Sequence, residues 1–240
     1  LIITSLFEGY LSNAVTSIKK INNNFKTAVI LYDLIPYIDQ TNYLTNEYIK
    51  KYYFSKINYL KQADFYFAIS HSSQNEAIDH LNIEKSKIIN IKSAVDDIFK
   101  PQILPNYKKS KLLYKYNIKD KFIFYVPGGF DYRKNFKTLI EAYSILPDNI
   151  KNEYQLLIGS KVTQQQKEHI HKLAKESALV KSQVILSGYI PDSDLIHLYS
   201  QASLFVFPSL HEGFGLPLLE AMSCKTAVIG SNTSSIPEVI

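Results

Sequence analysis

Two glutamates, Glu212 and Glu220, stand eight positions apart in the run PSLHEGFGLPLLEAMSC, residues 208–224. Carboxylates accept hydrogen bonds from hydroxyl groups. Between them Gly213, Phe214 and Gly215 make a loop whose glycines permit tight turns and close approach of a ligand to the backbone. Pro217 suits the first position of a helix, where its missing N–H costs nothing. The preceding residues LFVF read as a buried strand. The order is therefore strand, Gly-rich loop, helix N-terminus, and the free N–H groups near Gly215 and Leu216 form an anion site. Glu212 lies in the loop and Glu220 one turn into the helix. Both can face the crevice beyond the strand's carboxyl end, where open α/β sheets bind ligands. Carboxylates beside an anion site imply a ligand that carries both phosphates and hydroxyls.

The segment YVPGGFDYRKNFKTLIEAY offers a second anion site. A strand ends at Val126, Gly128 and Gly129 turn the chain, and a helix begins near Asn135, which reads as its cap. Arg133 and Lys134 precede that helix. Two cations at a helix N-terminus suit a diphosphate, Arg as a planar fork and Lys as a point charge.

These loops need elements to hold them. Apolar runs at 28–32, 65–69, 87–91, 122–126, 154–158, 183–186, 204–207 and 226–229 read as strands. Amphipathic helical patterns separate most of them, at 45–61, 72–81, 136–146, 164–177 and 194–201. Continuous apolar strands alternating with helices predict an α/β protein with doubly wound parallel sheets. The stretch FKPQILPNYKK has two prolines and no periodicity, so a boundary is placed there, with domains at 1–104 and 105–240. Leu1 lies in a strand-like run and Ile240 follows a strand and a turn, so both ends read as cut from a longer protein.

The net charge is +5, modest and dispersed, which suits an acidic ligand or anionic surface and gives no nucleic-acid signature. A single cysteine, Cys224, excludes an intramolecular disulfide and fits a reducing, cytosolic setting. No apolar run is long enough to span a bilayer, and no signal peptide is visible.

The string EGFGLPLLEAM resembles the Glu-x7-Glu signature of the retaining group 1 (family 4) glycosyltransferases with the GT-B fold. The resemblance implies two Rossmann-like domains facing a cleft, both incomplete in this chain. It implies that Glu212 contacts the transferred sugar and Glu220 the ribose of the nucleotide. GGFDYRKN resembles the family's phosphate-binding loop, in the branch of bacterial mannosyltransferases of surface-polysaccharide assembly, and Lys134 matches the family's lysine. Many members carry Arg directly after the first Gly. Here that position is Gly129, so either Arg133 supplies the missing charge or the diphosphate is held less strongly. The implied reaction moves a sugar, mannose favoured, from a nucleotide-diphosphate sugar, GDP-mannose favoured, to a glycan or lipid-linked acceptor. It implies no metal and no other cofactor. Retention in the family is attributed to front-face attack, with the leaving phosphate taking the acceptor's proton. Two other activities fit the same residues: a sugar-nucleotide epimerase, and a non-catalytic nucleotide-sugar-binding subunit of an assembly complex.

Other stretches fit the same branch. FEGYLSNAVTS resembles a loop bordering the cleft, which makes Glu8, Gly9 and Asn13 acceptor-side candidates, together with Tyr32 and Asp33 of LYDLIPY. Many relatives carry His where this chain has Tyr32, and Tyr does not exchange a proton at neutral pH; Asp33 equally suits a turn former. GSNTSSIPEV resembles a segment near the nucleotide. Asp192-Ser193-Asp194 matches a metal-binding pattern of the other main glycosyltransferase fold, but it opens a helix, so Asp192 or Ser193 reads as an N-cap. Asn232-Thr233-Ser234 fits a glycosylation sequon unused in a cytosolic protein. Lys225 stands where relatives have Gly at a helix end, a position that favours φ > 0. On the 45–61 helix, Tyr48, Tyr52 and Tyr59 among lysines would suit peripheral contact with the inner face of a membrane, although a packed helix with a lysine-rich surface explains the pattern better.

Overall fold

A computed structural model of the chain describes residues 1–8, 17–20 and 24–240. The chain divides into two compact units. One comprises Leu1–Ser93 with Glu212–Phe214, the other Ala94–His211 with Gly215–Ile240.

In the first unit, β1 (Ile2–Ile3), β2 (Ala28–Leu31), β3 (Phe65–Ala68) and β4 (Ile88–Asn90) form a parallel sheet in the order β1-β2-β3-β4. Short helices α1 (Ile35–Ile38) and α2 (Gln40–Tyr43) follow β2, and α3 (Glu47–Leu60) and α4 (His71–Leu81) are the packing helices. Val29, Leu31, Tyr66 and Ala68 of the sheet are buried with Ile57 and Leu60 of α3 and Ala77 and Leu81 of α4. Side-chain caps set both helix starts. Asn46 accepts from the N–H groups of Tyr48 and Ile49, and Ser70 Oγ accepts from Ser73 N–H. The second tyrosine stripe on α3 does not form a solvent-facing row. Lys56 is buried with its ammonium 5.0 Å from the Tyr52 ring centre, Tyr52 donates to the Glu8 carbonyl, Tyr59 packs on the core, and Tyr48 alone of the three tyrosines is fully exposed.

In the second unit, α5 (Asn106–Tyr116) leads into β5 (Phe122–Tyr125), α6 (Phe136–Ser144), α7 (Asp148–Glu153), β6 (Gln155–Ile158), α8 (Gln164–Glu176), β7 (Val184–Leu186), α9 (Asp192–Gln201), β8 (Leu204–Phe207), α10 (Leu216–Ser223) and β9 (Val228–Gly230). All five strands are parallel, in the order β7-β6-β5-β8-β9. Sequence neighbours β5, β6 and β7 step one way and β8 returns to the other side of β5, so the strand order reverses between β5 and β8. The core is aromatic: Phe124, Tyr199, Phe205 and Phe207 meet edge-on or stacked, with neighbouring ring centres 5.3–6.1 Å apart. The predicted strands all occur, most of them trimmed at an end. Helix α7 starts after Pro147 and, at 6 residues, is too short to show a helical period in the sequence.

Two expected caps are corrected. Helix α9 begins after Pro191, so Asp192 and Ser193 are its first two residues and neither side chain caps it. Asp194 instead accepts from the Lys115 ammonium at 2.5 Å and the Tyr116 hydroxyl at 2.6 Å, cations and hydroxyl being stronger partners for a carboxylate than one amide. Asn135 does precede α6, but it is left-handed (φ 57°), a geometry that aims its side chain away from the helix amides. Lys225 has φ 63° after α10, as the sequence indicated. Thr226 N–H reaches the Ala221 carbonyl and Lys225 N–H the Met222 carbonyl, which is a Schellman closure.

Candidate active site

In open α/β sheets the crevice for ligands lies beyond the carboxyl ends of the strands, where the strand order reverses. In the second unit that point is the gap between the ends of β5 and β8. The chain leaving β5 turns at Gly128, whose φ of +69° favours glycine. A Cβ at Gly129 would make only ordinary contacts, at 3.7 and 4.0 Å, so among the described residues nothing steric enforces glycine there. A single 3-10 turn, Tyr132–Lys134, then places Lys134 across the reversal. Its carbonyl accepts from the hydroxyl of Tyr125, the last residue of β5, and its ammonium lies 6.0 Å from the ring centre of Phe207, the last residue of β8. Lys134 is 5% exposed, a cation desolvated enough for its charge to count.

Arg133 points differently. Its Nε pairs with Asp131 at 3.1 Å and its Nη1 donates to the His211 carbonyl at 2.8 Å. The guanidinium is thus directed to the loop that follows β8.

That loop ends at Gly215, φ +108°, the N-cap of α10, with Pro217 at the second helical position instead of the first. Leu216 is exposed at the helix start, where Pro217 has no N–H and the Leu218 N–H already meets the Gly215 carbonyl at 3.0 Å, which narrows the expected anion site to the Leu216 amide. Glu220 lies one turn along, and its Oε2 accepts from the Tyr199 hydroxyl at 2.9 Å. Tyr199 is fully buried among Phe124, Phe205 and Phe99. Burial pushes the Glu220 carboxyl above the ordinary carboxylate range, the Tyr199 hydrogen bond opposes that rise, and the charge of Asp192 adds to it. Burial likewise drives the Tyr199 hydroxyl well above the usual tyrosine range, so it remains a donor.

A cavity of about 310 Å³ runs from Val126, Gly128 and Gly129 to Ser160, Lys161 and Tyr189, along the carboxyl ends of β5, β6 and β7. Ser160, Lys161 and Tyr189 were not picked out from the sequence. The available signal was a glycine just after β6 and one shortly after β7. A Cβ on Gly159 would lie 2.7 Å from Ile190, and Gly188 has φ +74°.

The first unit gathers Gly213, Tyr32 and Asp33. A Cβ on Gly213 would lie 2.8 Å from the Tyr32 carbonyl and 3.2 Å from Asp33 Oδ2, so the loop passes where only glycine fits. Asp33 Oδ1 accepts from Ile35 N–H at 3.0 Å, the turn-forming role open to it. Ser73, which no local sequence signal marks, donates from Oγ to the Tyr32 carbonyl at 2.5 Å and lies 3.3 Å from the Gly213 carbonyl. Tyr32 exposes half its surface. Glu212 is 8% exposed, more enclosed than its place in a Gly-rich loop suggests. Phe214 belongs to the same segment. Glu8 accepts from Ser5 Oγ at 3.2 Å, and Ser5 lines a cavity of about 200 Å³ together with Tyr32 and Asp33, while Gly9 and Asn13 lie outside the described residues.

The sequence profile of the family "Glycosyl transferases group 1" matches residues 108–240. The chain is 40% identical over 238 residues to the serotype-specific mannosyltransferase WbdA of Escherichia coli, covering 99% of this chain and 29% of that protein. It is 34% identical over 185 residues to the O-antigen chain mannosyltransferase B of Escherichia coli, covering 75% of this chain and 46% of that one. The chain therefore spans less than half the length of these curated relatives. Among solved structures, Anabaena Alr3699/HepE in complex with UDP and glucose superposes with a TM-score of 0.71 at 17% identity, covering 89% of this chain and 55% of that one. A glycosyltransferase from Rickettsia africae gives a TM-score of 0.67 at 22% identity, over 90% of this chain and 54% of that one. These likenesses show the fold, which is GT-B.

Proposed function

Because the chain belongs to the group 1 glycosyl transferases, we propose that it acts in transferring a hexose, mannose favoured, from a nucleotide-diphosphate sugar to a glycan or lipid-linked acceptor in surface-polysaccharide synthesis. The observation that carries the reading is the placement of Lys134, a desolvated cation on the strand-order reversal between Tyr125 and Phe207. Printed descriptions of the relatives as mannosyltransferases support the choice of sugar, and GDP-mannose is the favoured donor.

In this reading Lys134 and the Leu216 amide at the start of α10 stabilise the negative charge that grows on the leaving diphosphate. Gly128 and Gly129 let the phosphates approach the backbone. Glu220 accepts from the ribose hydroxyls with the oxygen lobe that Tyr199 does not hold. The cavity ending at Tyr189 takes the base. Glu212, with Gly213 and Phe214 beside it, faces the transferred sugar, where a carboxylate stabilises positive charge on the ring. The acceptor attacks the face that the diphosphate leaves, its proton passing to the departing phosphate oxygen, so configuration is retained. Fixed cations and amides serve in place of a metal, and Asp194 is already bound by Lys115 and Tyr116. The proposed setting is cytoplasmic, at the inner face of the membrane when the acceptor is lipid-linked.

The test is transfer from GDP-mannose to a mannosylated acceptor in excess EDTA, with the product's anomeric configuration read by NMR. An α-linked product formed at undiminished rate is expected. A β-linked product would overturn retention. Activity abolished by chelator and restored by manganese would overturn metal independence. Binding of UDP- or ADP-sugars to the exclusion of GDP-mannose would overturn the donor.

A further inference from the structure

The loop between β8 and Glu212 is held carbonyl by carbonyl. Asn135 Nδ2 donates to the Pro208 carbonyl at 3.0 Å. Ser231 Oγ donates to the Ser209 carbonyl. Thr233 Oγ1 donates to the Leu210 carbonyl at 3.2 Å. Arg133 Nη1 donates to the His211 carbonyl at 2.8 Å, and the Leu210 N–H returns a bond to the Arg133 carbonyl at 2.7 Å. Four consecutive carbonyls thus meet four side chains. Two come from the turn after β5 and two from the turn after β9.

Loop backbone is ordinarily solvated and mobile, and irregular segments rarely have each carbonyl taken by a side chain. Here the four held carbonyls belong to the residues that lead directly into Glu212. The left-handed backbone of Asn135 explains how it takes part. It turns the amide away from α6, and the side chain spans to Pro208. Arg133 explains the need for a guanidinium, since its fork holds Asp131 with Nε and His211 with Nη1 at once, a geometry an ammonium cannot reproduce.

We propose that Arg133, Asn135, Ser231 and Thr233 are positioning residues that fix residues 208–211 and so aim Glu212. The proposal rests on the reading of Glu212 as the group facing the transferred sugar. It gives Arg133 a task other than direct contact with the diphosphate, and it gives Ser231 and Thr233 a task that a sequon match hides. A positioning shell of this kind acts on the chemical step more than on donor affinity, because misplacement of a catalytic group by a fraction of an ångström lowers turnover.

The experiment uses the full chain with Ser231→Ala, Thr233→Val, Arg133→Lys and Arg133→Met, alone and on a Glu212→Gln background. Three quantities are read: hydrogen exchange of the 207–214 segment, GDP-mannose affinity by calorimetry, and kcat. Loss of each neutral hydrogen bond should speed exchange in that segment about 2- to 12-fold. Affinity should stay within about twofold while kcat falls about tenfold, and Arg133→Lys should behave like Arg133→Met. On the Glu212→Gln background the same changes should lower kcat no further. Unchanged exchange at 207–214 overturns the latch even if the wild-type protein transfers no mannose, an outcome that would separately sink the proposed function. Weakened GDP-mannose binding in Arg133→Met, rescued by Arg133→Lys, returns Arg133 to the diphosphate and refutes its positioning role. Losses in kcat that multiply with Glu212→Gln overturn the link to Glu212.

Discussion

Tyr199→Phe removes one atom from the site and leaves the packing intact. The ring keeps its contacts with Phe124 and Phe205, whose centres lie 5.4 and 5.3 Å away. What disappears is the 2.9 Å bond to Glu220 Oε2. That bond does two things. It orients the carboxylate, and it favours the ionised form against the burial that raises the Glu220 pKa. Restoring rotamer freedom to one such side chain costs about 0.5–1.5 kcal/mol on binding, a loss of about 2- to 12-fold in donor affinity at neutral pH. The second effect is pH-dependent and its sign is fixed. Ribose hydroxyls donate to the ionised carboxylate, so donor binding weakens as pH falls through the raised Glu220 pKa. Folding stability runs the opposite way, because a carboxyl with a raised native pKa takes up a proton more readily folded than unfolded, so its contribution improves as pH falls through that window. Removing the hydroxyl raises the Glu220 pKa further and moves the acid limb of donor binding to higher pH. Calorimetric titration of GDP from about pH 5 to about pH 8 measures this directly. Glu220→Gln is the reference arm. Losing a hydrogen bond to a charged group costs about 1.5–3 kcal/mol, or about 10- to 150-fold at neutral pH; the variant's own affinity should be flat with pH, so that loss shrinks as the wild type weakens in acid. An acid limb that Tyr199→Phe leaves in place, or a uniform loss at every pH, refutes the coupling between Tyr199, Glu220 and the nucleotide.

Two further outcomes follow from the same geometry. Lys134→Met keeps an unbranched side chain in the buried position and removes the ammonium 6.0 Å from the Phe207 ring centre, and it should weaken GDP-mannose binding by about 10- to 150-fold; affinity unchanged by calorimetry would move the diphosphate elsewhere. Lys225→Gly relieves a left-handed non-glycine residue at the end of α10 and should raise stability against urea by about 1 kcal/mol, while a fall in stability would show that the Lys225 side chain contributes more than its backbone conformation costs.

The strands were legible because burial on both faces leaves an unbroken apolar run, as in FIFY of β5 and QLLI of β6, whose residues are nearly all enclosed. Lys134 and the Gly128 turn were legible for a related reason, since a strand end, a glycine and a helix start are all local signals. The caps were less so. Asn135 has the residue type of a cap, but its left-handed backbone sends the amide elsewhere, and φ is not written in residue type. The burial of Glu212 was illegible because a carboxylate in a Gly-rich loop reads as exposed, and the fit of Gly213 against the Tyr32 carbonyl is set by tertiary structure.

The loop before Glu212 shows where such reading ends. Its holding bonds join residues 73 and 78 positions apart on one side, and 22 and 23 on the other. A side chain bonded to a distant backbone carbonyl imposes no residue type on its partner, because every residue offers the same carbonyl. Ser231 and Thr233 therefore sit in a string, SNTSS, that reads as a polar turn or a sequon. Arg133 sits beside a lysine in a string that reads as a doubled phosphate site. In both cases the residue type is consistent with two tasks, and only the direction of the side chain separates them. Direction is also what a kinetic measurement can report. A group aimed at the donor changes affinity, whereas a group aimed at the backbone that carries Glu212 changes turnover.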